Sequence, residues 1–118
     1  MRLLLFQDRF FPLVVSGQKK QTIRAHRKDG WRPVAGELLR AGRWTGKPYR
    51  SKVERGPMLR VTGCEEVDIH AAGPDYGLAD AGKMAKADGF ASAADMVDWF
   101  SLVHGLPFFG VVIRWEKI

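Results

Sequence analysis

The stretch Gly17-Gln18-Lys19-Lys20-Gln21-Thr22-Ile23-Arg24 constrains the fold of this chain more than any other. Gly17 can take a positive φ and so close a preceding helical turn. Thr22 and Ile23 favour extended backbone directly afterwards. The chain therefore turns from helix to strand here, with a run of cations at the corner. In a strand starting near Lys20, alternate side chains share a face, which groups Lys20, Thr22 and Arg24 and sets Gln21 and Ile23 opposite. Lys19 stays in the turn. A hydroxyl between an ammonium and a guanidinium suits two chemistries, holding a phosphate or other anion and activating a weak oxygen nucleophile. A solvated basic corner with a β-favouring Thr is the third reading these residues leave open.

The flanking sequence supports the corner. Leu3 to Phe6 reads as a buried strand, and Pro12 suits the first turn of a short helix ending at Ser16-Gly17. After Arg24 comes a basic loop, Ala25 to Pro33, with Asp29-Gly30 and Pro33 as turn markers and Trp31 among Arg27, Lys28 and Arg32. Aromatic rings between cations can stack on bases while their neighbours take phosphates; a Trp covering one end of the core is the alternative. Val34 to Ala41 reads as a turn and strand, and 42–55 as a polar excursion carrying Arg43, Lys47, Arg50, Lys52 and Arg55 around Trp44 and Tyr49. Met58 to His70 is extended, with Leu59 and Val61 on one face and a break at Gly63.

Helices are expected late in the chain. Leu78, Ala81, Met84 and Ala85 follow helical spacing, with Gly89 as terminator. Ser92 and Asp95 form a Ser-x-x-Asp capping box, and Met96, Trp99, Phe100 and Val103 make an apolar stripe stopped by Gly105 and Pro107. That stripe reads as core packing. Phe108 to Trp115 closes the chain as an apolar strand. Neither a repeat nor a linker divides the chain, so 1–118 is expected to be a single domain.

Charge points to a partner. The net charge is +6, but residues 1 to 60 hold 15 Lys and Arg against 4 Asp and Glu, and the remainder hold 4 against 9. Such segregation predicts a positive surface for a polyanion, RNA or a nucleotide first, rather than a membrane. No apolar run approaches the roughly 20 residues that span a bilayer. Cys64 is the only cysteine, which excludes an internal disulfide and sets a cytoplasmic location as the expectation. His26, His70 and His104 lack ligand spacing, so neither a metal nor another cofactor is expected, and His104 is explained by the helix dipole.

Laid out in this order, the sequence resembles the ASCH family of the PUA-like superfamily. The resemblance is carried by Ser16 to Arg24, then Ala35-Gly36-Glu37-Leu38-Leu39, Cys64-Glu65-Glu66-Val67, Ala87-Asp88-Gly89-Phe90-Ala91-Ser92, Trp99-Phe100 and Ile113-Arg114-Trp115. It implies an α+β fold, a compact β-barrel with a few covering helices, and a cleft for RNA or a modified ribonucleotide. Lys20, Arg24, Arg27, Lys28, Trp31, Arg43, Arg50 and Lys52 are then the expected binding residues. One branch of the family resembles an amidohydrolase that removes the acetyl group from N(4)-acetylcytidine. On its Gly-x-Lys-x-x-Thr-x-Arg motif, Lys19 matches as base and Thr22 as nucleophile. The branch's glutamate is absent here; Asp88, one methylene shorter, stands nearest as proton donor, with Asp80 and Asp95 behind it. Binding alone, amide hydrolysis and RNA phosphodiester cleavage all remain open. A carboxylate among so many cations is expected to stay ionised, which suits pairing better than proton donation.

Overall fold

A computed structural model of the chain describes residues 2–70, 73–75 and 85–118, with the backbone alone at 70 and 73–75. Strand β1 (Arg2–Leu5) leads into helix α1 (Phe11–Ser16). Pro12 occupies the first turn, where its missing N–H is no loss, and Gly17 ends the helix at φ 84°. The Lys19 N–H then bonds back to the Leu13 carbonyl at 2.9 Å. This return directs the chain into β2 (Gln21–Ala25), so the helix-to-strand corner forms as the sequence predicts.

The strands β3 (Leu38–Trp44), β4 (Val53–His70), β5 (Gly73–Asp75) and β6 (Phe108–Lys117) complete one mixed sheet. Its order is β1-β3-β4-β6-β2, with β5 paired to β4. Among the described residues, β1 and β3 run parallel and the other pairs are antiparallel. At 18 residues β4 is long enough to serve two partners, β3 along its first half and β6 along its second. A register shift at Val61/Gly63 bends it between the two, matching the break expected at Gly63. The polar excursion after Trp44 is the tip of the β3–β4 hairpin.

The barrel implied by the resemblance is not closed among the described residues. The ladders end at β1 on one side and β2 on the other. Across that seam lies a side chain instead of a backbone ladder: Arg24 Nη2 of β2 donates to the Leu5 carbonyl of β1 at 2.6 Å. The architecture is an open α+β sheet with helices against it.

Residues 85–87 are helical, and the part of the expected helix at 78–84 lies outside the described residues. Helix α2 (Ala93–Val103) begins as predicted, the Ser92 hydroxyl accepting the Asp95 N–H at 3.1 Å. The Asp95 carboxylate pairs outward with Arg9 at 3.0 Å. Met96 and Phe100 of its stripe are buried, whereas Val103 at the last helical position is 46% exposed. They join Leu39, Leu59, Val61, Ile69 and Val112 in one core, which α1 enters through Phe11 and Val14. Glycine is required at Gly110, where a Cβ would stand 2.2 Å from the Arg24 carbonyl oxygen. The bare backbone there lets β2 lie close against β6.

Candidate functional site

The return of the chain after Gly17 turns Lys19 inward. At 2% exposure it is among the largest of the fully buried side chains. Opposite it, the helical residues at 85–87 end in a turn that is tied to the corner by the Lys20 N–H, which donates to the Ala87 carbonyl at 2.7 Å. Asp88 is thereby held against Lys19. The ammonium donates to the Asp88 backbone carbonyl in a short bond, lies 3.3 Å from Asp88 Oδ2, and sits 4.7 Å above the centre of the Phe10 ring. Asp88 Oδ1 is buried and has no hydrogen-bond partner among the described residues. A carboxylate oxygen in that state is costly unless something occupies the adjoining space.

That space exists. A cavity of about 210 Å³ is lined on its polar side by Lys19, Thr22, Arg24 and Asp88, and on the other by Phe10, Phe90, Trp99 and His104. Thr22 and Arg24 share a face of β2, as period-2 alternation requires. Arg24 Nε donates to Thr22 Oγ1 at 3.1 Å, so the hydroxyl's own hydrogen is free to be directed elsewhere. The aromatic wall is a continuous stack: Phe10 meets Phe90 and Trp99 edge-on at 5.3 and 5.5 Å.

Burial dominates the electrostatics. It pushes the Lys19 ammonium down to about 8, against the opposing attraction of Asp88. It pushes the Asp88 carboxyl up to about 6, although Lys19, Arg24 and a hydrogen bond from Gln21 all pull it down. Desolvation outweighs the surrounding cations, yet at about 6 the carboxyl is still mostly ionised at neutral pH and pairs with Lys19 at 3.3 Å. Arg24 is lowered to about 10 by burial and stays protonated at neutral pH.

The structure gathers Lys19, Thr22, Arg24 and Asp88 and separates the remaining expected residues. Lys20 does not share the Thr22 face: the ladder starts at Gln21, and the Lys20 side chain turns outward to a neighbouring cleft with Gln18 and Lys86. Arg27 is exposed and bidentate to Asp29 at 3.1 and 3.0 Å, and Lys28 is exposed beside it. Trp31 is half-buried under the Arg2 guanidinium, 4.2 Å from the ring centre. Arg43 is bound to Glu54 at 2.5 Å and to Asp8 at 3.4 Å, while Arg50 and Lys52 lie exposed on the hairpin tip. Of the alternative acids, Asp95 is engaged by Arg9 on the surface, and Asp80 lies outside the described residues.

Two residues of the site escaped sequence reasoning. Period-2 alternation sets Gln21 on the face opposite Thr22, yet it is 3% exposed and reaches Asp88. A polar residue at a buried strand position is the signal that marks it. His104 lines the cavity with its ring 5.6 Å from Phe100 and 4.9 Å from Phe108, and partial burial lowers its pKa. Its position four and five residues after Phe100 and Trp99 places it on the stripe's face. Among the described residues, no group of three or more His, Cys, Asp or Glu is placed to hold a metal ion, and no helix is long and apolar enough to cross a membrane. No family model, no curated protein and no solved structure matches this chain.

Proposed function

We propose that the chain hydrolyses the exocyclic amide of an acylated nucleoside in the Lys19–Thr22–Asp88 cavity, N(4)-acetylcytidine being the model substrate. The observation that carries this reading is the convergence of a buried lysine, a buried carboxyl and a hydroxyl on one small cavity. Perturbed titrating groups in a cavity are the usual mark of catalytic work. The cavity is smaller than the roughly 300 Å³ at which drug-sized sites begin. It suits one heterocycle with a short acyl group against the aromatic wall, the ribose staying at the mouth.

In this scheme Thr22 Oγ attacks the amide carbonyl carbon and gives its proton to the Lys19 amine. Asp88 protonates the departing exocyclic nitrogen, and water then releases the acyl group from Thr22. The starting state needs a neutral amine beside a neutral carboxyl. With Lys19 at about 8 and Asp88 at about 6, moving the proton between them costs on the order of 3 kcal/mol; at their ordinary values of 10.5 and 3.8 it would cost about 9 kcal/mol. Arg24, whose guanidinium is held by Thr22 and Leu5, is in this scheme the group that stabilises the oxyanion of the addition intermediate. The finer fold assignment, an ASCH-type PUA-like barrel left open at one seam, belongs to the same proposal.

Incubation with N(4)-acetylcytidine tests it. Release of cytidine by the wild type, abolished in Thr22→Ala and Lys19→Met with circular dichroism unchanged, is the expected result; an inert wild type removes the hydrolase reading. Binding of a modified ribonucleotide or RNA without turnover is the second reading. The exposed Lys20, Lys28, Arg50 and Lys52, for which no anionic partner is seen among the described residues, favour it.

A further inference from the structure

The open seam between β1 and β2 is a second cavity, of about 510 Å³. Leu5, Arg24 and Ala25 line both it and the Lys19–Asp88 cavity, so the two adjoin across Arg24. Its floor is apolar, made by Leu3, Leu4, Val111 and Ile113. Trp31, Trp44 and Tyr49 line it with aromatic rings, the last two 5.2 Å apart. Its charged lining is cationic: Arg24, Arg27 and Arg32 line it, and Arg2 covers Trp31. Arg32 donates to the Cys64 backbone carbonyl at 2.9 Å and shows no carboxylate partner among the described residues. The nearby Asp29 is already held by Arg27.

Tyr49 is the unusual member. It is 87% exposed and stands at φ 62°, the only non-glycine positive φ among the described residues. Left-handed backbone at an aromatic residue is unfavourable and persists where its surroundings or its use require it. The hairpin tip thus holds a fully presented ring at the edge of the groove.

We propose that this seam is a base-stacking subsite, and that the protein's ligand is therefore a single-stranded polynucleotide whose next nucleotide lies in the seam. The inference rests on the reading that the adjoining cavity takes a modified base. Stacking rings over an apolar floor suit the faces of a base, and the cationic lining suits the phosphates joining it to its neighbour. A strand crossing from one cavity to the other passes Arg24, the charged residue among the three common to both. An extended peptide added to the free edges of β1 or β2 is the competing occupant; the excess of cations over free carboxylates favours the polyanion.

Fluorescence anisotropy with a labelled eight-nucleotide oligouridylate tests the subsite. Tyr49→Gly removes the ring and relieves the left-handed backbone, so loss of folding does not confuse the result. The expected outcome is binding that weakens about 5- to 150-fold in Tyr49→Gly, and a salt slope that falls by about one in Arg32→Gln. Wild-type protein that binds no oligouridylate at low salt, or affinity within twofold of wild type in Tyr49→Gly, overturns the subsite. Oligouridylate carries no acyl group, so this binding is read whether or not the cavity hydrolyses anything. Tyr49-dependent binding by a protein inert toward N(4)-acetylcytidine would keep the seam and retire the hydrolase reading. Turnover of the free nucleoside together with Tyr49-independent binding would do the reverse.

Discussion

Lys19 and Asp88 form a pair that costs stability at neutral pH, and its removal can be read directly. Asp88 is raised from 3.8 to about 6, so its contribution is complete below pH 3.8 and is lost as pH rises through 6. Lys19 is lowered from 10.5 to about 8, so its contribution is complete above 10.5 and is lost as pH falls through 8. Both groups are buried, at 2% and 3% exposure, and each displacement corresponds to on the order of 3 kcal/mol. The double variant Lys19→Met/Asp88→Asn keeps the volumes and removes both titrations. Subtracting its unfolding free energy from that of the wild type at each pH should give a trough between pH 6 and 8. The walls should be on the order of 3 kcal/mol, descending from pH 4 to 6 and climbing from pH 8 to 10.5. Urea unfolding followed by the fluorescence of the 4 tryptophans measures it. A difference that is flat within about 0.5 kcal/mol, or that peaks near neutrality, would refute the claim that desolvation outweighs the pair's attraction. A trough would also explain the pair's presence, since a fold selected only for stability has better uses for this site.

Two further substitutions probe the frame around the site. Gly110→Ala brings a methyl group against the Arg24 carbonyl at 2.2 Å, where both partners are backbone; a loss of about 3 kcal/mol is expected, seen as a Tm fall of at least about 10 °C. A variant that melts with the wild type would show that β2 is not held this close. Ser92→Ala removes the cap of α2 and should cost about 1 kcal/mol in urea unfolding, whereas Ser92→Gly should cost only a few tenths. Equal costs for the two would deny the hydroxyl its capping role.

Much of the local structure was legible in the residues because it depends on short-range chemistry. Pro12 and Gly17 delimit α1, Ser92 starts α2, and Gly63 marks the bend in β4, each acting through its own backbone or an atom three residues away. The site was legible in part for the same reason: two-residue alternation sets Thr22 beside Arg24. It misled at Lys20, where the ladder begins one residue later than the β-favouring sequence indicates. At Gln21 and His104 local pattern gives the face each residue takes, but the deciding contacts, with Asp88 and with an aromatic wall, come from distant parts of the chain.

By itself the sequence determined the corner at Gly17, the alternation along β2, the cap of α2 and the confinement of positive charge to the first 60 residues. These follow from φ preferences, the two-residue period of a strand and a count of charges. Only the tertiary structure decided that Lys19 is buried, that Asp88 faces it while Asp95 is engaged by Arg9 on the surface, and that burial overrides the cations at that carboxyl. It alone left β1 and β2 joined through one guanidinium instead of a ladder. Solvation is the reason. The cost of burying a charge is set by all the atoms that exclude water from it, and those atoms come from the segment 5–10, β2, residues 88–90 and α2 together.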